Sequence, residues 1–116
     1  VSTITGKSAT VALSSTSATV LVSNAASSGK VFKINMIQVA NVDGTSAADV
    51  TVDMHSAATG GGTAYSLAST VTVPANASIV IIDKNTSVYL EEARSITATA
   101  SAANDLEVVI SYEEIN

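Results

Sequence analysis

The sequence predicts an all-β fold, an antiparallel β-sandwich or jelly-roll of about eight or nine short strands. Several segments alternate apolar and polar residues with the period of two that is typical of strands. Turn-forming residues recur at short intervals between these segments, and no segment has the apolar stripe of an amphipathic helix. Only 13% of the 116 residues are charged, so the abundance of Ser, Thr, Ala and Val does not indicate disorder.

Three segments show the alternation most clearly. Val50, Val52 and Met54 lie on one predicted face of their strand, opposite Thr51, Asp53 and His55. The same pattern recurs twice near the end of the chain, at Ile96, Ala98 and Ala100 and at Leu106, Val108, Ile110 and Tyr112. Each is typical of an antiparallel strand that has one face in the core.

Two apolar segments break the alternation. In Val31–Asn41 the apolar residues change parity after Met36, from Ile34 to Ile37 and Val39. Either a β-bulge shifts the register near Met36, or both faces of the strand are covered, one of them by a partner. The run 79–82 is apolar throughout and leaves the same two interpretations open.

Turns divide the chain into a series of predicted strands within one domain. The turns lie at 27–30, 42–45, 60–62, 74–76, 83–85 and 103–105. The predicted strands lie near 8–13, 18–23, 31–41, 47–55, 64–69, 70–74, 78–83, 87–91, 94–100 and 106–114, with one or two merged or irregular. Residues 1–7 are predicted to form an N-terminal arm, and residues 8–116 a single β-sandwich domain.

The composition excludes several function classes. The net charge is −5, and the five basic residues are scattered, so we expect no nucleic-acid partner. No apolar run has the length of a membrane span, and we expect no membrane partner. There is no cysteine, and the apolar residues are mostly Ala and Val. Such a core buries little surface per residue, which favours completion of the fold by self-association.

The candidate catalytic and metal-ligating residues do not form a convincing site. His55 is the single histidine, and although Asp49 and Asp53 share its parity on a strand, a metal site needs ligands that converge from several strands. The pairs 91–92 and 113–114 are adjacent glutamates, and adjacent strand residues point to opposite faces. We therefore predict no enzyme activity, no catalytic residue, no metal and no cofactor.

Three turn regions could have served as ligand sites. Asp43-Gly44 and 83–85 could offer oxygen ligands to calcium, but side-chain turns of Asp and Asn explain them without an ion. The three glycines at 60–62 are predicted to form a flexible loop tip, with close approach of a ligand or a subunit as the alternative.

The order of strands and turns resembles small virion structural proteins of tailed bacteriophages, particularly those of marine phages and cyanophages. The segments that carry the resemblance are 31–41, 43–44, 48–52, 64–68, 71–75, 88–91 and 108–113, within about residues 20–116. The proteins that it resembles often carry a Gly-Asp turn after the Leu-Glu strand, where this chain has Ala93-Arg94. The resemblance implies a β-sandwich or jelly-roll on the surface of a particle.

On this basis we expect a capsid decoration (cement) protein that binds the outer shell as a homotrimer or homodimer. Its partners would be further copies of itself and the major capsid protein or another virion protein. The absence of cysteine fits assembly in a bacterial cytoplasm. The alternative is a tail, fibre or baseplate module that binds host glycans. The predicted interface consists of the apolar residues in the two ambiguous strands, Ile37, Val39, Ile79, Val80, Ile81 and Ile82.

Overall fold

The structure, a computed structural model, describes residues 3–116 and confirms the all-β prediction. It contains nine strands and two short 3₁₀ turns, with no α-helix among the described residues. The strands are β1 (Ile4–Ala12), β2 (Thr19–Asn24), β3 (Val31–Asn41), β4 (Ala48–His55), β5 (Ala64–Val73), β6 (Ser78–Ile82), β7 (Val88–Leu90), β8 (Arg94–Ala100) and β9 (Leu106–Ile115). The 3₁₀ turns are Ala58–Gly60 and Lys84–Thr86. No helix in the described part of the chain could span a membrane.

The strands form two antiparallel sheets that pack face to face. Sheet A has the order β1-β9-β3-β6, and β7 pairs with the first part of β3. Sheet B has the order β2-β8-β4-β5. Apart from the β4–β5 hairpin and the step from β6 to β7, each consecutive pair of strands crosses from one sheet to the other. This winding is that of a jelly roll, an architecture that also occurs in viral capsid proteins, lectins and cupins.

The core lies between the sheets and follows the predicted alternation. Val50 and Val52 of β4 are fully buried, as are Ile96 and Ala98 of β8. Leu106, Val108 and Ile110 of β9 complete this layer from sheet A. Phe32 and Tyr112 close one end of the core with ring centroids 5.3 Å apart. Burial of aliphatic side chains at about 25 cal/mol per Å² is therefore the main term that stabilises the fold.

Bulges explain both segments that break the alternation. In β3, Ile34 pairs with Tyr112 and Met36 with Ser111, so Asn35 is an extra residue in the strand. The side chains of Ile34 and Ile37 consequently both enter the core. In β6, Ile37 pairs with Ile82 and Gln38 with Val80, which makes Ile81 the extra residue. The bulge interpretation is therefore confirmed at residue 35.

Two strand boundaries differ from the prediction. The first strand begins at Ile4, so residues 4–7 pair with β9, whereas Val1 and Ser2 of the predicted arm lie outside the described residues. The segments 64–69 and 70–74 form one strand, β5, which contains two register shifts. Thr70 lies at one of these shifts with φ of 51°. The shifts lie where the prediction divided this segment into two strands.

Candidate interaction surface

The six residues of the predicted interface occupy different environments. Ile37, Val39 and Ile82 are buried in the core of the single chain, and Ile79 and Ile81 are partly buried against it. Val80 is 57% exposed. The prediction that the apolar runs form one docking surface therefore needs correction, because most of them fill the domain's own core. The physical reason is the pair of bulges, which turn neighbouring apolar residues toward the same side.

Val80 lies on the outer face of sheet A, in a row of paired residues that also contains Val109. In the strand register, Val109 of β9 lies opposite Gln38 of β3, and Gln38 lies opposite Val80 of β6. Val109 is also exposed. A shallow hollow of about 480 Å³ adjoins this row, lined by Asn35, Met36, Val80, Asp83, Lys84 and Ser111. Exposed apolar side chains around a hollow are typical of a protein contact surface.

The outer face of sheet A continues toward the start of β3. Tyr89 of β7 lies opposite Lys33 and is 59% exposed. Ile4, Ile115 and Val31 form an apolar row across β1, β9 and β3, in which Ile4 is the most exposed. The face thus combines separate apolar residues with polar ones, as contact surfaces of soluble proteins do.

An ion cluster lies where β1, β3 and β9 meet. Lys30 Nζ is 2.8 Å from Glu114 Oε1, and Lys7 Nζ is 3.1 Å from Glu114 Oε2. Hydrogen bonds from Lys30 and then Lys7 lower the pKa of the Glu114 carboxyl. The hydrogen bond to Glu114 likewise raises the pKa of Lys7. The cluster fastens the start of β1 to the end of β9 by charge-assisted hydrogen bonds.

The outer face of sheet B is partly covered by the loop 56–63 between β4 and β5. Ser95 Oγ donates to the Ala57 carbonyl and accepts from the Gly60 amide, both at 2.8 Å. The Thr59 amide donates to Ser23 Oγ at 2.9 Å. A Cβ on Gly62, whose φ is +68°, would collide with Ser56 Oγ. The glycine segment, predicted as a flexible loop tip, is therefore packed against sheet B.

His55 is the last residue of β4, directly before this loop. It shares its strand face with Asp53, as predicted, but it is only 8% exposed. Its Nε2 and the Thr97 hydroxyl are 2.8 Å apart, and its Nδ1 has no hydrogen-bond partner. Asp53 and Asp49 instead accept hydrogen bonds of 2.7 Å from Ser66 and Thr72 of β5. Within residues 3–116, no three His, Cys, Asp or Glu side chains are grouped to hold a metal ion.

Four acidic residues of the candidate pairs and turns have structural partners. Glu113 accepts from Asn35 Nδ2 at 2.9 Å on the outer face, whereas Glu114 binds the two lysines. Asp43 Oδ1 accepts from the Thr45 amide at 3.1 Å, and Asp83 Oδ1 accepts from the Asn85 amide at 2.9 Å. Both aspartates therefore form the side-chain turns that the sequence predicts.

A second surface feature, which sequence reasoning missed, lies at the edge of sheet B. A cleft of about 240 Å³ is lined by Met54, His55, Ser56, Tyr65, Glu91 and Arg94. Tyr65 is 65% exposed, so its ring is available to a ligand. The cleft brings together the end of β4, the start of β5 and the turn before β8. Its residues come from three separate segments, 54–56, 65 and 91–94, and share no motif, so the sequence gives no signal for it.

Comparisons with known proteins give only distant likenesses. No protein-family model matches the sequence, and no curated protein matches it. One similar solved structure is a chain of the Bacillus endospore appendages, a family of disulfide-linked pili, with 18% identity and a TM-score of 0.47 over 97% of this chain and 85% of that one. Another is the VLP of the extra small virus of the giant freshwater prawn Macrobrachium rosenbergii, with 12% identity and a TM-score of 0.47 over 98% of this chain and 78% of that one.

Proposed function

We propose that this chain is a structural protein of a bacteriophage virion, a capsid decoration protein that binds the outer shell as a homo-oligomer and has no enzyme activity. It would assemble in the cytoplasm of the bacterial host. The observation that carries the proposal is the outer face of sheet A, where Val80, Tyr89 and Val109 are exposed and Val80 lines a shallow hollow. A decoration protein needs such a contact surface and does not need an enclosed pocket.

Three further features support the proposal. The strand and turn pattern resembles virion structural proteins of tailed phages, and the jelly roll is an architecture that viral capsid proteins use. The core is built without disulfides, which suits assembly in a reducing compartment. The hydrogen-bonded aspartates of β4 and the packed loop 56–63 stabilise sheet B internally, so that sheet A is the better candidate for contact with a shell.

The proposal is tested by binding of the purified chain to phage heads that lack it. We expect the wild-type chain to sediment with the heads and Val80→Asp to lose most binding, because docking would bury an unpaired charge. Val20→Asp is the matched control, since Val20 is exposed on the outer face of β2 in sheet B. Failure of the wild-type chain to bind would refute capsid decoration. Equal binding by Val80→Asp would refute the role of the outer face of sheet A.

A second candidate function is a tail, fibre or baseplate module that binds host glycans. The cleft of Tyr65, Glu91 and Arg94 favours it, because an exposed aromatic ring beside charged hydrogen-bonding groups can hold a sugar. A glycan array tests this function, and binding should be lost in Tyr65→Ala but retained in Tyr89→Ala. An array without any bound glycan at high protein concentration would count against it.

A further inference from the structure

The free edges of the two sheets differ in regularity. The edge strand of a sheet exposes unpaired backbone N–H and C=O groups, and most proteins interrupt or cover them. In sheet B, β2 has an extra residue at Leu21, and β5 contains two register shifts and the positive φ of Thr70. In sheet A, the 3₁₀ turn Lys84–Thr86 separates β6 from β7. Among the described residues, β1 is the only edge strand that forms nine consecutive residue pairs with its neighbour without a register shift.

The hydrogen bonds at the ends of β1 show which backbone groups face the free edge. Thr3 and Asn116 exchange both of their backbone hydrogen bonds, at 2.9 and 3.0 Å. The Leu13 amide, ten residues further on, likewise donates to β9, with a bond of 2.9 Å to the Leu106 carbonyl. Because hydrogen-bonded and non-hydrogen-bonded pairs alternate in an antiparallel ladder, odd-numbered residues of β1 bond to β9. The N–H and C=O groups of the even-numbered residues therefore point away from the sheet: Ile4, Gly6, Ser8, Thr10 and Ala12.

The side chains of β1 permit another strand to approach. Its residues are exposed except for Ala9 and Val11, which are partly buried against the core. Lys7 is the single charged residue of the strand, and its ammonium is already held by Glu114 at 3.1 Å. The chain as a whole has a net charge of −5, yet β1 contains no carboxylate. Two β1 edges can therefore meet without bringing acidic residues of the strand together.

We propose that β1 pairs antiparallel with β1 of a second copy of this chain, about a two-fold axis at Ser8, so that two sheets A become one continuous sheet. In this register Ser8 lies opposite Ser8 of the second copy, and Gly6 lies opposite Thr10. Every even-numbered residue from Ile4 to Ala12 gains both of its missing hydrogen bonds. Lys7 lies opposite Ala9, so that the two ammonium groups are not paired with each other.

The two-fold arrangement also explains why the partner is a second copy. A second β1 presents a strand of equal length with free backbone groups at the same positions. Its side chains are small apart from Ile4, Lys7 and Val11. An isologous contact closes after two copies, so it produces a dimer and not a fibre. This inference rests on the proposed function, since a self-contact is what a homo-oligomeric subunit needs. It is nevertheless measured on the purified chain, and its failure would leave binding to phage heads untouched.

Cysteine cross-linking tests the register, because the chain has no cysteine of its own. In Ser8→Cys the two Cα atoms would be about 5.5 Å apart, as in any hydrogen-bonded antiparallel pair, and this distance fits a disulfide. We expect mild oxidation to convert most of this variant to a covalent dimer. Thr10→Cys is the matched control: its two copies would be about 13 Å apart along the strands, too far for a disulfide. Cross-linking of both variants at the same rate would overturn the proposal.

A proline tests the hydrogen bonds. Ser8→Pro removes an N–H that points to the free edge and leaves the bonds to β9 in place, so the fold should persist. We expect analytical sedimentation to show a dimer for wild type and for Ser8→Ala, and a monomer for Ser8→Pro. A wild-type chain that is monomeric at high concentration, or a folded Ser8→Pro chain that stays dimeric, would overturn the proposal. If circular dichroism shows that Ser8→Pro does not fold, the cross-linking of Ser8→Cys compared with Thr10→Cys tests the proposal.

Discussion

Replacing Ile37 by alanine distinguishes a core residue from an interface residue. Ile37 is fully buried in the single chain, between its β9 partner Ile110 and its β6 partner Ile82. The substitution removes three carbon atoms, and their transfer to water costs about 2–2.5 kcal/mol at about 0.8 kcal/mol for each. The residual cavity adds to this cost, so we expect a loss of about 3–4 kcal/mol in the free energy of unfolding. For a domain of this size the melting temperature should fall by roughly 10–20 °C.

The assay is urea unfolding at one low protein concentration, so that self-association affects all variants equally. Val80→Ala is the control from the exposed position of the neighbouring strand, and it should cost less than about 1 kcal/mol. The predicted ranking is therefore a large loss for Ile37→Ala and a small one for Val80→Ala. A loss of less than about 1 kcal/mol for Ile37→Ala would refute the assignment of this residue to the core.

Three further predictions concern the loop, the ion cluster and metals. Gly62→Ala should lower the free energy of unfolding by about 1–3 kcal/mol, because its Cβ would collide with Ser56, whereas Gly29→Ala has a similar φ in open space and should cost only about 1 kcal/mol. Equal losses would contradict the packing of loop 56–63. The lowered pKa of Glu114 means that its stabilisation is present above the ordinary glutamate pKa of about 4.3 and is lost as the pH falls through the lowered pKa. The raised pKa of Lys7 means that its stabilisation is lost as the pH rises through the raised pKa. The melting temperature of Glu114→Gln should therefore vary less with pH than that of wild type, at both low and high pH. A profile identical to that of wild type would contradict the ion pairs of Glu114 with Lys7 and Lys30. A chelator should shift the melting temperature by less than about 1 °C, and a large fall would reveal a metal site.

The regular strands could be predicted because one face of each is in the core. Where the register is unbroken, as in Val50 and Val52 or in Val108 and Ile110, burial follows the period of two in the sequence. The bulges at Asn35 and Ile81 could not be distinguished from a strand with two covered faces, since both produce adjacent apolar residues. For this reason Ile37 was predicted at an interface, although it lies in the core.

The surface features could not be predicted in the same way. They depend on which strands and loops become neighbours, and local sequence patterns do not determine these contacts. The alternation predicts the parity of His55, but its burial depends on neighbouring strands, and its Nε2 lies 2.8 Å from the Thr97 hydroxyl of β8. Similarly, the alternation in β1 indicates a strand and gives no sign that it lies at an edge. The unpaired groups of Ser8 become apparent only from the partner that β1 has on its other side.

The turn before β8 places a residue with a Cβ in the left-handed region, since Ala93 has a φ of +57°. The left-handed region costs a residue with a Cβ about 1–2 kcal/mol, whereas glycine enters it freely. The position is therefore one at which the backbone geometry favours glycine although the chain has alanine.

We propose that this chain is a subunit on the outside of a phage head. The most direct measurement is a cryo-electron microscopy map of the intact particle that contains the chain. We expect symmetric copies of a two-sheet jelly roll on the head, with Val80 and Val109 of each copy facing the shell. A map that locates the chain only in the tail, or that shows a head lattice without any copy, would contradict it.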